Sequence, residues 1–171
     1  MRYTFLILIT SVLLFGCTAT KVNSTATSTT VYLMRHAEKA KDGTKDPSLT
    51  AEGRERAQTL ARKLKGENIR AIYSTDYKRT RETVAPLAEA LELDVIIYNP
   101  KDLNSLKEEI LKEYKYGETI VIVGHSNTTP TLVNLLISKE QFQPIDESDY
   151  TNLYKLEIKY DGSKKVSNIK Q

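Results

Sequence analysis

Cysteine is almost absent from this 171-residue chain; Cys17 is the single one. An intrachain disulfide is thereby excluded, and the folded region has to hold together by its apolar core. Histidine is nearly as scarce, with His36 and His125 the only two. They lie far apart in sequence, with no carboxylate pair at ligand spacing and no available thiol. They give no metal-ligand cluster, so neither metal nor cofactor is expected. No apolar run reaches the roughly 18 residues of a membrane-spanning helix. A basic stripe interleaved with aromatics is also missing. Lys and Arg number 25 against 22 Asp and Glu, a net charge of +3 with the signs interspersed. Nucleic acid is therefore not expected as a partner. No internal repeat is visible.

What is present begins with a leader. Met1 and Arg2 form a short positive region, and Tyr3 to Phe15 (YTFLILITSVLLF) is an apolar run of 13 residues, the length of a signal-peptide core. Gly16 and Cys17 follow at once. LFGC resembles a bacterial lipoprotein cleavage box, with Phe15 bulkier than the small residue usual there. The resemblance implies a signal peptide over 1–16, a lipid on Cys17 and attachment to an extracytoplasmic membrane face, periplasmic or cell-surface. An ordinary signal peptide with an incidental cysteine is the alternative. From Thr18 to Thr30 eight of 13 residues are Ser or Thr, which bury too little to offset ordering, so residues 17–28 are expected to be a tether. Fully stretched it reaches roughly 45 Å. The domain is expected over 29–171, long enough for one sizeable core.

Within it, strand-like and helix-like segments alternate. VYLMRH (31–36), IRAIYS (69–74), DVIIY (94–98) and ETIVIVGH (118–125) are apolar runs of strand length. Between them run helical patterns: Ala57, Leu60, Ala61 and Leu64, with Thr50 as N-cap and Gly66 as stop; Val84, Leu87, Ala88 and Leu91, opened by Asp76 and kinked by Pro86; and Leu103, Leu106 and Ile110, opened near Asp102. A fourth helix starts near Pro130, and NLYKLEIKY (152–160) alternates like a half-exposed strand before a short last one near 165–169. Near-continuous apolar strands joined by helices predict an α/β fold, with a mainly parallel central sheet and helices on both faces. In such sheets ligands bind beyond the carboxyl ends of the strands.

Both histidines fall there. His36 ends VYLMR and His125 ends IVIVG, with Arg35 beside the first; Arg79 and Arg81 follow the second strand on the same edge. Guanidinium groups match phosphate oxygens and stay charged at any working pH. They also disfavour a third positive charge, so Arg35 and Arg79 are expected to keep His36 neutral, with a lone pair free to attack phosphorus.

These residues resemble the histidine phosphatase superfamily. Its Arg-His-Gly/Ala element matches Arg35, His36 and Ala37. Its second element matches Ser74 to Thr83 (STDYKRTRET), with Arg79 at the arginine position and Glu82 replacing a glutamine. Its second-histidine element matches Val123, Gly124 and His125. The resemblance implies a phosphoglycerate mutase-like three-layer sandwich, nearest the small phosphohistidine phosphatase branch. It also implies a metal-independent phosphatase in which His36 takes the phosphoryl group while Arg35, Arg79 and His125 bind its oxygens. A phosphorylated small molecule or phosphopeptide is the expected substrate.

The acidic residue that follows the second histidine in acid phosphatase-like members is missing, since Ser126 and Asn127 stand there. Asp102 is the first candidate for a general acid, with helix N-capping as its other reading. Glu38, close to His36, is the second, and also a candidate substrate contact together with Ser126. Without a well-placed acid, substrates with good leaving groups are expected. GHSNT (124–128) also resembles a serine hydrolase elbow with Ser126 as nucleophile, but no histidine follows it in the chain. A non-catalytic phospho-ligand binder and a phosphomutase complete the alternatives. The segments around 41–48 and 141–150 (QFQPIDESDY) are the obvious lids.

Overall fold

The computed structural model describes residues 28–114 and 117–171. The leader, Cys17 and the tether up to residue 27 lie outside the described residues. The first strand, β1 (Ser28–Arg35), starts earlier than the apolar run that signalled it: Ser28, Thr29 and Thr30 already pair with the later strand β5 (Leu153–Lys159). Between β1 and the other strands come α1 (Ala51–Leu64), β2 (Ile69–Ser74), α2 (Lys78–Leu91), β3 (Val95–Ile97), α3 (Leu103–Glu113), β4 (Thr119–Gly124) and α4 (Thr128–Ile137); β6 (Lys164–Asn168) closes the chain after β5.

The strands form one six-stranded sheet in the order β3-β2-β4-β1-β5-β6. Its β3, β2, β4 and β1 run parallel, while β5 and β6 turn back antiparallel. Strand pleating explains the continuous apolar runs. Val31 and Leu33 of β1 enter one core with Ile120, Ile122, Leu106, Ile110, Leu132 and Val133. Tyr32 and Met34 enter the other, with Val121, Val123, Leu60, Leu64, Val84 and Leu87. Because both faces are buried, neither set of alternating side chains can be polar. The helices α1 and α2 therefore cover one face and α3 and α4 the other, which is the expected three-layer α/β sandwich.

Local signals explain most element starts. Thr50 caps α1 by accepting from the Gly53 amide at 3.1 Å. Gly53 itself is required by close approach, since a Cβ there would meet the Glu38 carbonyl oxygen at 2.3 Å. Two expectations need correction. Asp76 does not open α2: Tyr77 is the capping residue, with no side-chain cap bond, and Asp76 pairs with Arg81 at 2.9 Å. The Lys78 amide is satisfied instead by Asp46 at 3.0 Å, a residue distant in sequence. β3 is shorter than expected and lies at the sheet edge, where Ile96 and Ile97 are exposed.

Candidate active site

Strand order assembles the site. In the parallel pairing of β1 with β4, Arg35 lies opposite Gly124, and the His36 amide donates to the Gly124 carbonyl at 3.0 Å. His36 and His125, each one residue past its strand, are thus neighbours, with ring centroids 5.7 Å apart and edges to faces. The His36 Nδ1 lies 2.7 Å from the Ala37 carbonyl oxygen. A carbonyl only accepts, so Nδ1 carries the proton and Nε2 keeps the lone pair. The hydroxyl of Thr83 locks this geometry: it accepts from the Ala37 amide at 3.0 Å and donates to the Arg79 carbonyl at 2.7 Å. Glu82, the residue in place of glutamine, accepts from the Leu49 amide at 2.7 Å and so pins the loop that follows His36.

Both rings resist protonation. Burial lowers His36 to about 3, with the Ala37 carbonyl opposing and Arg35, Arg79 and His125 adding to the fall. Burial likewise lowers His125 to about 4, helped by Arg79, Arg35 and Lys39 and opposed by Glu147.

The tautomer of His125 follows from a chain of hydroxyls. Thr80 Oγ1 donates to the carbonyls of Thr75 and Tyr77, so towards Thr75 it can only accept. Thr75 Oγ1 spends its one proton on Thr80 and must accept from His125 Nε2, 3.0 Å away. His125 in its neutral form therefore has Nε2 protonated and Nδ1 free. Thr75 and Thr80 are fully buried. Replacing Thr75 by Val is expected to leave the Nε2–H unpaired, destabilise the fold by about 1–3 kcal/mol and blur the single tautomer in the ring-nitrogen spectrum. Thr75→Ser should restore both, whereas a Val variant with wild-type nitrogen shifts would contradict the chain of donors.

The two arginines differ in their setting. Arg79 lies over the Tyr77 ring at 4.4 Å and reaches Asp46 only at 3.7 Å. Arg35 is 1% exposed and held by the loop before β5: Nη1 donates to the carbonyls of Asp146 (3.0 Å) and Asp149 (3.3 Å), Nη2 to Glu147 at 2.6 Å, and Tyr150 stacks at 4.2 Å. Each arginine keeps a buried Nε–H with no hydrogen-bond partner among the described residues. Buried donors are rarely left unpaired, and an anion is the natural acceptor for two of them.

A cavity of about 350 Å³ is bordered by His36, Arg79, His125, Ser126, Lys39, Lys101 and Glu147. The start of α4 adds its amide dipoles, with Ser126, Asn127 and Thr128 on the rim. The carboxylates are distributed otherwise than expected. Asp102 is the N-cap of α3, accepting from the Ser105 amide at 3.1 Å and from its hydroxyl at 2.8 Å, and does not border this cavity. Glu38 is clamped by Arg56, whose Nε lies 2.9 Å from both of its oxygens, and it borders not this cavity but the neighbouring one of about 810 Å³. The carboxylate that does border the cavity is Glu147, which sits on Arg35 and accepts from the Ser126 hydroxyl. The only sequence signal for it is its place in the segment read as a lid. Ser126 lies on the rim but hydrogen-bonds neither imidazole among the described residues, so the elbow reading lacks its base. Among the described residues, no three His, Cys, Asp or Glu side chains are grouped to hold a metal ion, and no helix is long and apolar enough to cross a membrane.

Comparison with known proteins agrees with this arrangement. A family profile, the histidine phosphatase superfamily (branch 1), matches residues 31–100. Phosphoserine phosphatase 1 of Hydrogenobacter thermophilus is 40% identical over 72 residues, covering 39% of this chain and 34% of that protein. The chain thus matches about a third of that relative's length. Among solved structures, the protein histidine phosphatase SixA complexed with tungstate aligns with a TM-score of 0.63 at 16% identity, covering 81% of this chain and 94% of the other. Phosphoglycerate mutase from Plasmodium falciparum aligns at 0.59 and 19%, covering 84% and 91%. The segment carrying Arg35, His36 and Arg79 thus matches the profile of the histidine phosphatase superfamily (branch 1), and the described chain shares its fold with solved structures of a phosphatase and a mutase.

Proposed function

We propose that this domain is a phosphatase that removes a phosphoryl group from a small molecule or peptide through a phosphohistidine on His36. The observation that carries the reading is the lone pair of His36 Nε2, kept free by the Nδ1 bond to Ala37 and standing in a cavity shared with His125 and Arg79. In the first half-reaction Nε2 forms a bond to phosphorus while the bond from phosphorus to the leaving atom breaks. In the second, water attacks phosphorus, the N–P bond breaks and inorganic phosphate leaves. Arg79 and Arg35 offer their unpaired Nε–H groups to the phosphate oxygens. His125 can donate from Nδ1 only after taking up a proton, which the incoming anion favours, so binding is coupled to proton uptake. The open cavity, with Glu147 mostly exposed on its rim, admits water and favours hydrolysis over transfer back to an organic acceptor. The named activities of the similar proteins, on phosphoserine, protein phosphohistidine and phosphoglycerate, all fit this chemistry. Rapid quench with a labelled phosphate donor, followed by acid-free mass analysis, should place the label on His36. Label on Ser126, or full turnover with no labelled protein, would end this mechanism.

The leader reading is carried forward in the same spirit: Cys17 bears a lipid that holds the domain to a membrane facing away from the cytoplasm. Two or more acyl chains anchor stably where one is marginal. Cys17→Ser should move the protein into the soluble extracytoplasmic fraction, and a variant that stays with the membrane contradicts the anchor.

A further inference from the structure

We propose that Glu147 is the proton donor to the leaving group, freed for that task when the substrate's phosphate displaces its carboxylate from Arg35. The inference rests on the phosphohistidine reading above and adds to it an acid at the cavity of His36, which neither Asp102 nor Glu38 borders.

Position is the first argument. Glu147 borders the cavity of His36 and His125 and also a second one of about 810 Å³, bordered by Glu38, Lys39, Thr50 and Tyr150; of the two carboxylates, only Glu147 borders both. A proton donor has to stand between the phosphorus and the departing group, and Glu147 stands between the two spaces where these would sit. Mobility is the second argument. The Glu147 side chain is 71% exposed, whereas its own loop is fastened to Arg35 through the carbonyls of Asp146 and Asp149 and through the Tyr150 ring. The carboxylate can therefore leave Arg35 by side-chain rotation while the loop stays in place. Chemistry is the third. The pairing of a carboxylate with Arg35 Nη2 stands where a phosphate oxygen has better claim, because a dianion satisfies a guanidinium more strongly.

In the free protein the Ser126 hydroxyl bond and the charges of Arg35 and Lys39 hold Glu147 ionised, with burial and Asp146 opposing. Once phosphate takes Arg35, the carboxylate loses that cation and gains a dianionic neighbour, and both changes favour its protonated form. The first step then balances: the His36 Nε2–P bond forms, the P–O bond to the leaving group breaks, and the leaving oxygen takes the Glu147 proton. In the second step Glu147, now ionised, receives the proton from the attacking water as the N–P bond breaks.

The test compares leaving groups of different basicity in the full-length protein and its Glu147→Gln variant. The substrates are 4-nitrophenyl phosphate, phenyl phosphate and an alkyl phosphate such as O-phosphoserine, and kcat/KM is measured for each. The loss on substitution is expected to grow with leaving-group basicity, from about 10-fold for the nitrophenyl ester to about 100-fold or more for the alkyl ester. Thermal melting confirms folding, which an exposed side chain leaves intact. An equal loss across the series, or a gain across it, overturns the assignment and makes Glu147 no more than a contact on Arg35. These results all presuppose a wild-type protein that forms phosphohistidine. A wild type that turns over none of the three overturns the phosphohistidine reading itself.

Discussion

His36→Ala is expected to abolish turnover, reducing it by roughly four orders of magnitude or more, as loss of the proposed nucleophile should. No neighbouring group can replace the missing ring. His125 is tied through Nε2 to Thr75, and the Ser126 hydroxyl donates to a carboxylate and lacks a base. The anion site, by contrast, survives the substitution, because Arg79, Arg35 and the start of α4 are held by contacts that do not involve the imidazole. Binding of inorganic phosphate, followed by calorimetry, should therefore stay within about 10-fold of wild type while kcat collapses. Residual turnover above about one per cent, after controls for contaminating phosphatase, would show that another group attacks phosphorus.

The second large effect is on stability. His36 titrates at about 3 and His125 at about 4 in the folded protein, against about 6.5 for a free imidazole. Between those values the unfolded chain binds two protons that the folded chain refuses, so acid favours unfolding. Stability contributed in this way is fully present above about pH 7 and is lost as pH falls. Each ring is expected to account for about 2 kcal/mol between pH 7.5 and 5. Carboxylates held below their usual range, such as Asp149 at about 2, add their own loss only at lower pH, so this window isolates the two histidines. Urea midpoints in phosphate-free buffers should fall steadily across it, and His36→Asn should flatten the slope by about half. A variant whose midpoints run parallel to wild type would mean that His36 is protonated with ease in the folded state. Such a ring could not serve as the nucleophile.

How far the site could be read in advance depends on how local each signal is. Thr50 and Asp102 were legible as caps because a cap bond closes within three residues. Asp102 had a second reading as general acid, and the local one prevailed: its oxygens are taken by Ser105. Asp76 shows the reverse. It had the right residue type at the right place to open α2, yet Asp46 reached the Lys78 amide from another loop and Asp76 turned to Arg81. Glu38 looked near to His36 in sequence, but Arg56, brought in by α1, claims both of its oxygens.

By itself, the sequence determined the alternation of strands and helices, the burial of both sheet faces and the placing of each histidine at a strand end. All of these follow from side-chain periodicity and hydrophobic burial over a few consecutive residues. Only the tertiary structure decided that β1 and β4 are neighbours and so bring His36 beside His125, that the threonines at 75 and 80 set a tautomer, and that the carboxylate at the cavity is Glu147. Strand order and loop closure depend on which distant surfaces bury best against one another, and no short-range pattern encodes that competition.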